Sequence, residues 1–219
     1  MSSFKNRKEA GKQLADRLST VSLESVVLLA IPRGGIAVAL PVAEKLRVPL
    51  GVVPIRRLPV PWAGDVEVGY VTNTGELHLN QPLIGQVRLT PQEIYHIAKK
   101  EQKLLRLELA EWGVVPASDL SSKTVIVIDE GLHSGWTMFS AVATARSLGA
   151  RRIIAAAPVS HFRAQRFVGR HCDAMISLVT ADIPLFQIAN YYVEFPEISD
   201  EEIRSALKAA PTQPRQTAA

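Results

Sequence analysis

Cysteine is almost missing from this chain: Cys172 is the only one in 219 residues, so no internal disulfide framework is possible, and no group of Cys and His stands at metal-ligand spacing. That usage fits a reducing cytoplasm, the expected location. Long apolar runs are also lacking. None approaches the ~18–20 residues of a membrane span, and the charged start MSSFKNRKEAGKQL has no apolar stretch of the kind a secretory leader needs. A soluble protein is expected, with no membrane partner. Dense basic blocks interleaved with aromatics are absent too: 25 Lys and Arg against 21 Asp and Glu give a net charge of +4 but are scattered. A small phosphorylated ligand therefore explains the charge more economically than nucleic acid does. Three catalytic signatures are missing. There is no Gly-x-x-x-x-Gly-Lys-Ser/Thr run for a P-loop ATPase and no Gly-x-Gly-x-x-Gly after the first strand for a dinucleotide oxidoreductase. A hydrolase elbow around Ser134 needs glycines at positions 132 and 136, which Leu132 and Trp136 occupy.

What is present is enough apolar material for one sizeable core, with 47% hydrophobic residues and no internal repeat. Residues 4–18 place Ala10, Leu14 and Leu18 at helical spacing among charges. Residues 25–31 (SVVLLAI) are a short continuous apolar run broken by Pro32, Gly34 and Gly35, the pattern of a strand buried on both faces. Residues 36–46 read as a helix and 50–55 (LGVVPI) as a second strand, which makes a parallel crossover unit. Residues 56–120 are irregular and punctuated by Pro and Gly, predicting an antiparallel hairpin or flap, and within them 91–112 form a long polar helix capped by Thr90 and Glu93. Strands are predicted at 124–128, 153–158 and 174–178, with helices at 138–148 and 162–169. The expected fold is α/β with a doubly wound, mainly parallel sheet: one domain over 1–208, a flexible-loop insertion at 56–120, a hood or dimer segment at 180–208, and a disordered tail at 209–219.

Ligands of open α/β sheets collect beyond the carboxyl ends of strands, so the turns there carry the functional information. After the first strand comes Pro32-Arg33-Gly34-Gly35, where two glycines allow close backbone approach beside a guanidinium; after the second come Arg56 and Arg57. After TVIVI comes Asp129-Glu130-Gly131-Leu132-His133-Ser134-Gly135-Trp136-Thr137. Successive amides at a helix start, with the Ser134 and Thr137 hydroxyls, suit a phosphate monoester. Asp129 and Glu130 would repel that phosphate on contact, so they suit a neutral, hydroxyl-rich group close by. A ribose 5-phosphate satisfies both halves of the turn. The plainer alternative for the same residues is a helix cap and a turn. Lys99, Lys100 and Lys103 read as a solvated face.

The run VIVIDEGLHSGWT, together with FKNRKEAGKQLADRL, IPRGG, the Arg56-Arg57 pair and ISDEEI, resembles the type I phosphoribosyltransferases over about residues 4–204. The resemblance implies transfer of a 5-phosphoribosyl group from phosphoribosyl pyrophosphate to a nitrogenous base in nucleotide metabolism, with Mg2+ held mainly by the pyrophosphate and ribose of the substrate. It also implies a homodimer. On it, Asp129, Glu130 and His133 are the catalytic candidates, Asp129 and Glu130 hold the ribose, and His133, Ser134, Gly135, Trp136 and Thr137 bind the 5-phosphate. Arg33, Gly34, Gly35 and Arg57 take the pyrophosphate. Phe186 and Tyr191 are candidates for stacking on the base, with a core or dimer contact as the other reading. Glu130 stands where the family generally has Asp, and His133 is either a group facing the base or an exposed loop residue. The Trp136 side chain either points outward or crowds the phosphate. A rival reading is a non-catalytic module that binds phosphoribosyl pyrophosphate or a nucleotide as a sensor.

Overall fold

A computed structural model describes residues 3–21, 24–63 and 66–211. Five strands form one parallel sheet: β1 (Val26–Ala30), β2 (Leu50–Val52), β6 (Thr124–Ile128), β7 (Arg152–His161) and β8 (Ala174–Ala181), in the order β2-β1-β6-β7-β8. The chain winds outward from β1 to β2 and in the other direction from β6 to β8. The reversal of winding lies between β1 and β6, whose residues pair from Val26↔Thr124 to Ala30↔Ile128.

Both faces of the sheet are covered, which is why its central strands are apolar without alternation. Leu28, Ala30, Ile126 and Ile128 pack on one side against α1 (Arg7–Leu18), α2 (Gly34–Leu46), the end of α4 (Pro91–Glu111) and α7 (Asp200–Ala209). Val27, Leu29, Val125 and Val127 pack on the other side against α5 (Trp136–Ser147) and α6 (Phe162–Gly169). The expected α/β, doubly wound, mainly parallel sheet is what the chain forms.

The insertion holds antiparallel strands, one of the two forms the sequence suggests. Antiparallel strands β3 (Ile55–Pro59), β4 (Glu67–Thr72) and β5 (Leu77–Leu79) form a second sheet, followed by the short helix α3 (Gln81–Val87). Leu58, Val60, Val68 and Val71 bury against Ile94 and Ala98 of α4, giving this unit its own small core. Thr90 and Glu93 cap α4 reciprocally as the sequence predicts, and Lys99, Lys100 and Lys103 are exposed.

Three expectations are corrected. The run LGVVPI is not one strand: β2 stops at Val52, and Pro54, having no N–H to donate, separates it from β3. Arg56 and Arg57 therefore lie inside an antiparallel strand and not at the end of a parallel one. β7 runs three residues past the predicted end at 158: β8 pairs with it as far as His161↔Ala181, and on its other side Pro158 falls between the end of the β6 ladder at Ile128↔Ala156 and the bridge from Leu132 to Ser160. α7 was not foreseen as a helix, although Ser199 and Glu202 form a capping box in front of the buried Ile203. Of the tail predicted at 209–219, residues 212–219 lie outside the described residues, while Ala209 ends α7. Among the described residues no helix is long and apolar enough to cross a membrane.

Gly34 and Gly35 open α2 against the β6 exit. A Cβ on Gly35 would lie 2.6 Å from the Ile128 carbonyl oxygen, a backbone atom that cannot rotate away. Gly35→Ala is expected to destabilise the protein by about 1–3 kcal/mol through this overpacking, read from the midpoint of urea unfolding.

Candidate functional site

At the reversal point the exits of β1 and β6 touch. Ile31 N–H donates to the Ile128 carbonyl (2.9 Å), and the Glu130 carboxylate occupies the space a side chain at Gly34 would need. Two adjoining cavities open here. One of about 280 Å³ is lined by Asp129, Glu130, His133, Ser134, Gly135 and Thr137. The other, about 740 Å³, is lined by Arg33, Gly34, Arg56, Arg57, Glu130 and Thr137, with Arg7, Tyr70, Glu108 and Trp112 completing its wall. Glu130 and Thr137 border both.

The smaller cavity has the makings of an anion cradle. Gly135, at φ +85°, turns the chain into α5 in a conformation that favours glycine. The Ser134 and Gly135 amides donate to nothing among the described residues, and the first turn of α5 adds its own free N–H groups. Ser134 Oγ accepts from the Trp136 amide at 3.3 Å. The Trp136 indole turns away from the cradle, into a cluster with Phe139 (5.3 Å between centroids) and Phe167 (5.4 Å). It lines a separate recess of about 200 Å³ with Tyr70, Asn80 and Leu83.

The two acids differ in environment. Burial, then the neighbouring Glu130 charge, push the Asp129 carboxyl up to about 8, against the opposing effect of the Glu130 amide that donates to it at 2.8 Å. Glu130 has an ion pair with Arg7 Nε, and its main-chain carbonyl accepts from the Tyr192 hydroxyl at 2.7 Å.

The larger cavity is rich in arginines, most of them already paired. Arg33 binds Asp200 (2.7 Å) and Glu108 (3.3 Å); Arg56 binds Glu108 (2.5 Å) and Glu101 (2.7 Å). Burial alone would lower the Arg56 pKa, but the bonds from Glu101 and Glu108 outweigh it and hold the guanidinium above its ordinary value. Trp112 donates from Nε1 to Asp200 at 2.7 Å, and this bond together with Arg33 holds the Asp200 carboxyl below its usual range. Arg57 is exposed at the cavity wall and has no ion pair among the described residues. Tyr70, its cross-strand neighbour, places its hydroxyl 2.6 Å from Thr137 Oγ1, joining the insertion to the cradle.

Asp129, Glu130, His133, Ser134, Gly135, Thr137, Arg33, Gly34 and Arg57 thus come together around one opening, with Gly35 directly behind. Trp136, Phe186 and Tyr191 line neither of the two main cavities. Phe186 is 3% exposed, packed with Phe4, Val159 and Tyr192; its ring lies 5.4 Å from Tyr191 and 6.0 Å from the exposed His133. Sequence reasoning missed Arg7, Tyr70, Glu108 and Trp112, none of which adjoins a strand-end turn.

The phosphoribosyl transferase domain model matches residues 4–192. The chain belongs to the phosphoribosyl transferase family. A Mycobacterium tuberculosis protein provisionally named a phosphoribosyl transferase, Rv0571c, is 30% identical over 214 residues, covering 96% of this chain and 47% of that protein. The chain therefore spans about half the length of the curated relatives it matches. The crystal structure of TT1426 from Thermus thermophilus superposes with a TM-score of 0.78 at 29% identity, covering 94% of this chain and 98% of that one. A hypothetical protein of Neisseria gonorrhoeae shares the fold, at a TM-score of 0.50 and 16% identity over 93% of this chain and 92% of its own. Among the described residues no group of three or more His, Cys, Asp and Glu side chains is arranged to hold a metal ion.

An acid whose folded pKa is raised binds its proton more tightly in the folded chain, so its contribution to stability declines as pH rises from the unfolded value, about 3.9, toward the folded one. Asp129→Asn removes that penalty. The variant and the parent are expected to melt alike near pH 4, with the variant melting a few degrees higher near pH 8. Equal melting temperatures at both pH values would refute the assignment.

Proposed function

We propose that this phosphoribosyl transferase domain moves a 5-phosphoribosyl group from phosphoribosyl pyrophosphate to a nitrogenous base. One observation supports this most directly: unpaired amides and two acids share the β6 exit, facing a second loop with an arginine across two adjoining cavities. In this reading Ser134, Gly135 and Thr137 hold the 5-phosphate, with the His133 backbone beside them. Asp129 and Glu130 take the ribose diol. Arg33 and Arg57, with the Gly34 and Gly35 backbone, take the pyrophosphate.

The reaction breaks the bond from C1 of the ribose to pyrophosphate and forms one from C1 to a base nitrogen. The residues in reach can position the sugar and neutralise the departing anion, the two means by which such a displacement is accelerated most. Asp129 borders the smaller cavity, and burial and then the Glu130 charge push its carboxyl up to about 8, so it suits a sugar that arrives with a cation. Asp129 and Glu130 would hold Mg2+ through the sugar hydroxyls. When bound, the ion supplies charge neutralisation on the pyrophosphate. In this reading His133, exposed at the edge of the smaller cavity, would meet a ring nitrogen of the base.

A second reading is favoured by the acids already on Arg33 and Arg56: a module that binds phosphoribosyl pyrophosphate or a nucleotide without turnover and signals through the displaced side chains. Incubation with phosphoribosyl pyrophosphate, Mg2+ and a panel of purines and pyrimidines separates the two. Pyrophosphate release with one base supports the transferase; Mg2+-dependent binding without release supports the sensor; no binding at all refutes both.

Glu108 competes with any anion for both arginines. Glu108→Gln is expected to raise affinity for Mg2+-pyrophosphate severalfold in calorimetry, since a neutral amide gives up the guanidinium more readily than a carboxylate does. Unchanged or weaker binding would place the pyrophosphate elsewhere.

A further inference from the structure

The amino-terminal helix reaches the acid pair from outside the strand-end loops. Arg7, in the first turn of α1, is only 11% exposed at its side chain, although it borders the larger cavity. Each part of its guanidinium that the protein touches has a distinct partner. Nε donates to the Glu130 carboxylate, Nη1 donates to the Pro196 carbonyl at 2.7 Å, and the planar face lies 3.8 Å from the centre of the Phe195 ring. A long side chain fixed at three points keeps little freedom of its own, so what it binds is fixed with it.

What it binds is the second acid of the β6 exit. Glu130 extends past the backbone of Gly34, where any side chain would collide with its carboxylate, and ends on Arg7. Aspartate, one methylene shorter, would hold its carboxylate farther from Arg7. The hydroxyl of Tyr192 holds the other end of the residue, at its main-chain carbonyl.

We infer that Arg7 is a positioning residue that sets the Glu130 carboxylate for the ribose diol, and that Glu130 carries its extra methylene in order to reach it. The inference rests on the ribose reading above. The clasp leaves the Glu130 carboxylate one fixed position beside Asp129, at the border of both cavities.

The test compares ribose 5-phosphate with 2-deoxyribose 5-phosphate by calorimetry on the full chain. A site that accepts from the 2-hydroxyl leaves a buried acceptor unpaired when that group is missing, so the parent protein is expected to prefer the ribose by roughly tenfold or more. In Arg7→Gln the preference should fall to about twofold or less, while the shared phosphate contact keeps both ligands measurable. Glu130→Asp should give the same collapse, and the double variant should be no worse than either single one, as for two groups acting through one contact. If Arg7→Gln does not fold, Arg7→Lys replaces it, since one ammonium cannot serve Glu130, Pro196 and Phe195 together. An unchanged ribose preference with both affinities reduced equally would make Arg7 merely structural and overturn the inference. So would losses that multiply in the double variant. A parent protein that binds both sugars equally well would instead sink the ribose reading itself, and this inference with it.

Discussion

The contact between the loops leaving β1 and β6 is what the rest of the molecule is arranged around. Two parallel strands paired through Ala30↔Ile128 release their chains side by side, and only glycine at 34 and 35 lets those chains stay in contact past the end of the sheet. The acids of one loop thereby stand beside the arginine of the other. Moving either strand by one residue would turn Asp129 and Glu130 relative to Arg33 and exchange the faces they serve. The apolar cores on both sides of β1 and β6 hold that register, so the burial of Leu28, Ile126 and Ile128 is as much part of the site as the charged groups are.

Bringing anion-binding groups together has an electrostatic consequence. Four arginines border the larger cavity, and three of them are held by carboxylates: Arg56 by Glu101 and Glu108 on α4, Arg33 by Glu108 and by Asp200 on α7, and Arg7 by Glu130 of the β6 exit. Such pairs keep guanidinium groups in place and spare them mutual repulsion while no ligand is near. They also make an arriving anion exchange partners instead of meeting free charge. Specificity for a ligand with several phosphate oxygens follows naturally, since a single weak anion gains little by displacing carboxylates already bonded to the guanidinium groups.

The legibility of the sequence tracks the range of the interaction that decides each feature. β6 and α6 read correctly to the residue, because a buried parallel strand and an amphipathic turn of helix write themselves in adjacent positions. The loop residues at the β6 exit were legible for the same reason. The break at Pro54 was local too, yet the apolar letters around it hid the change of sheet. Arg7 and Glu130 are 123 positions apart, and Arg33 and Asp200 are 167 apart. No period or spacing announces such pairs, and they exist because α1 and α7 pack on the same face of the sheet. Aromatic composition left two readings open for Phe186 and Tyr191, base stacking or a core or dimer contact, and the packing of the corner beside α1 and β7 buries Phe186 with Phe4, Val159 and Tyr192.

The insertion shows how a secondary core becomes part of a site. Leu58, Val60, Val68 and Val71 need α4 to be buried, and α4 needs them to cover Ile94 and Ala98. That mutual requirement sets β3 and β4 over the cradle, with the Tyr70 hydroxyl on Thr137. A tyrosine has one proton to give. If it goes to Glu67, 3.3 Å away, Thr137 must donate to Tyr70; if it goes to Thr137, the threonine proton is free for an anion in the cradle. Occupancy of the cradle therefore favours one direction of this short chain of hydrogen bonds, and the insertion experiences that choice through the strand that carries both Glu67 and Tyr70. A sheet that the sequence suggests as a loose cover is, by its packing, connected to the state of the loop beneath it.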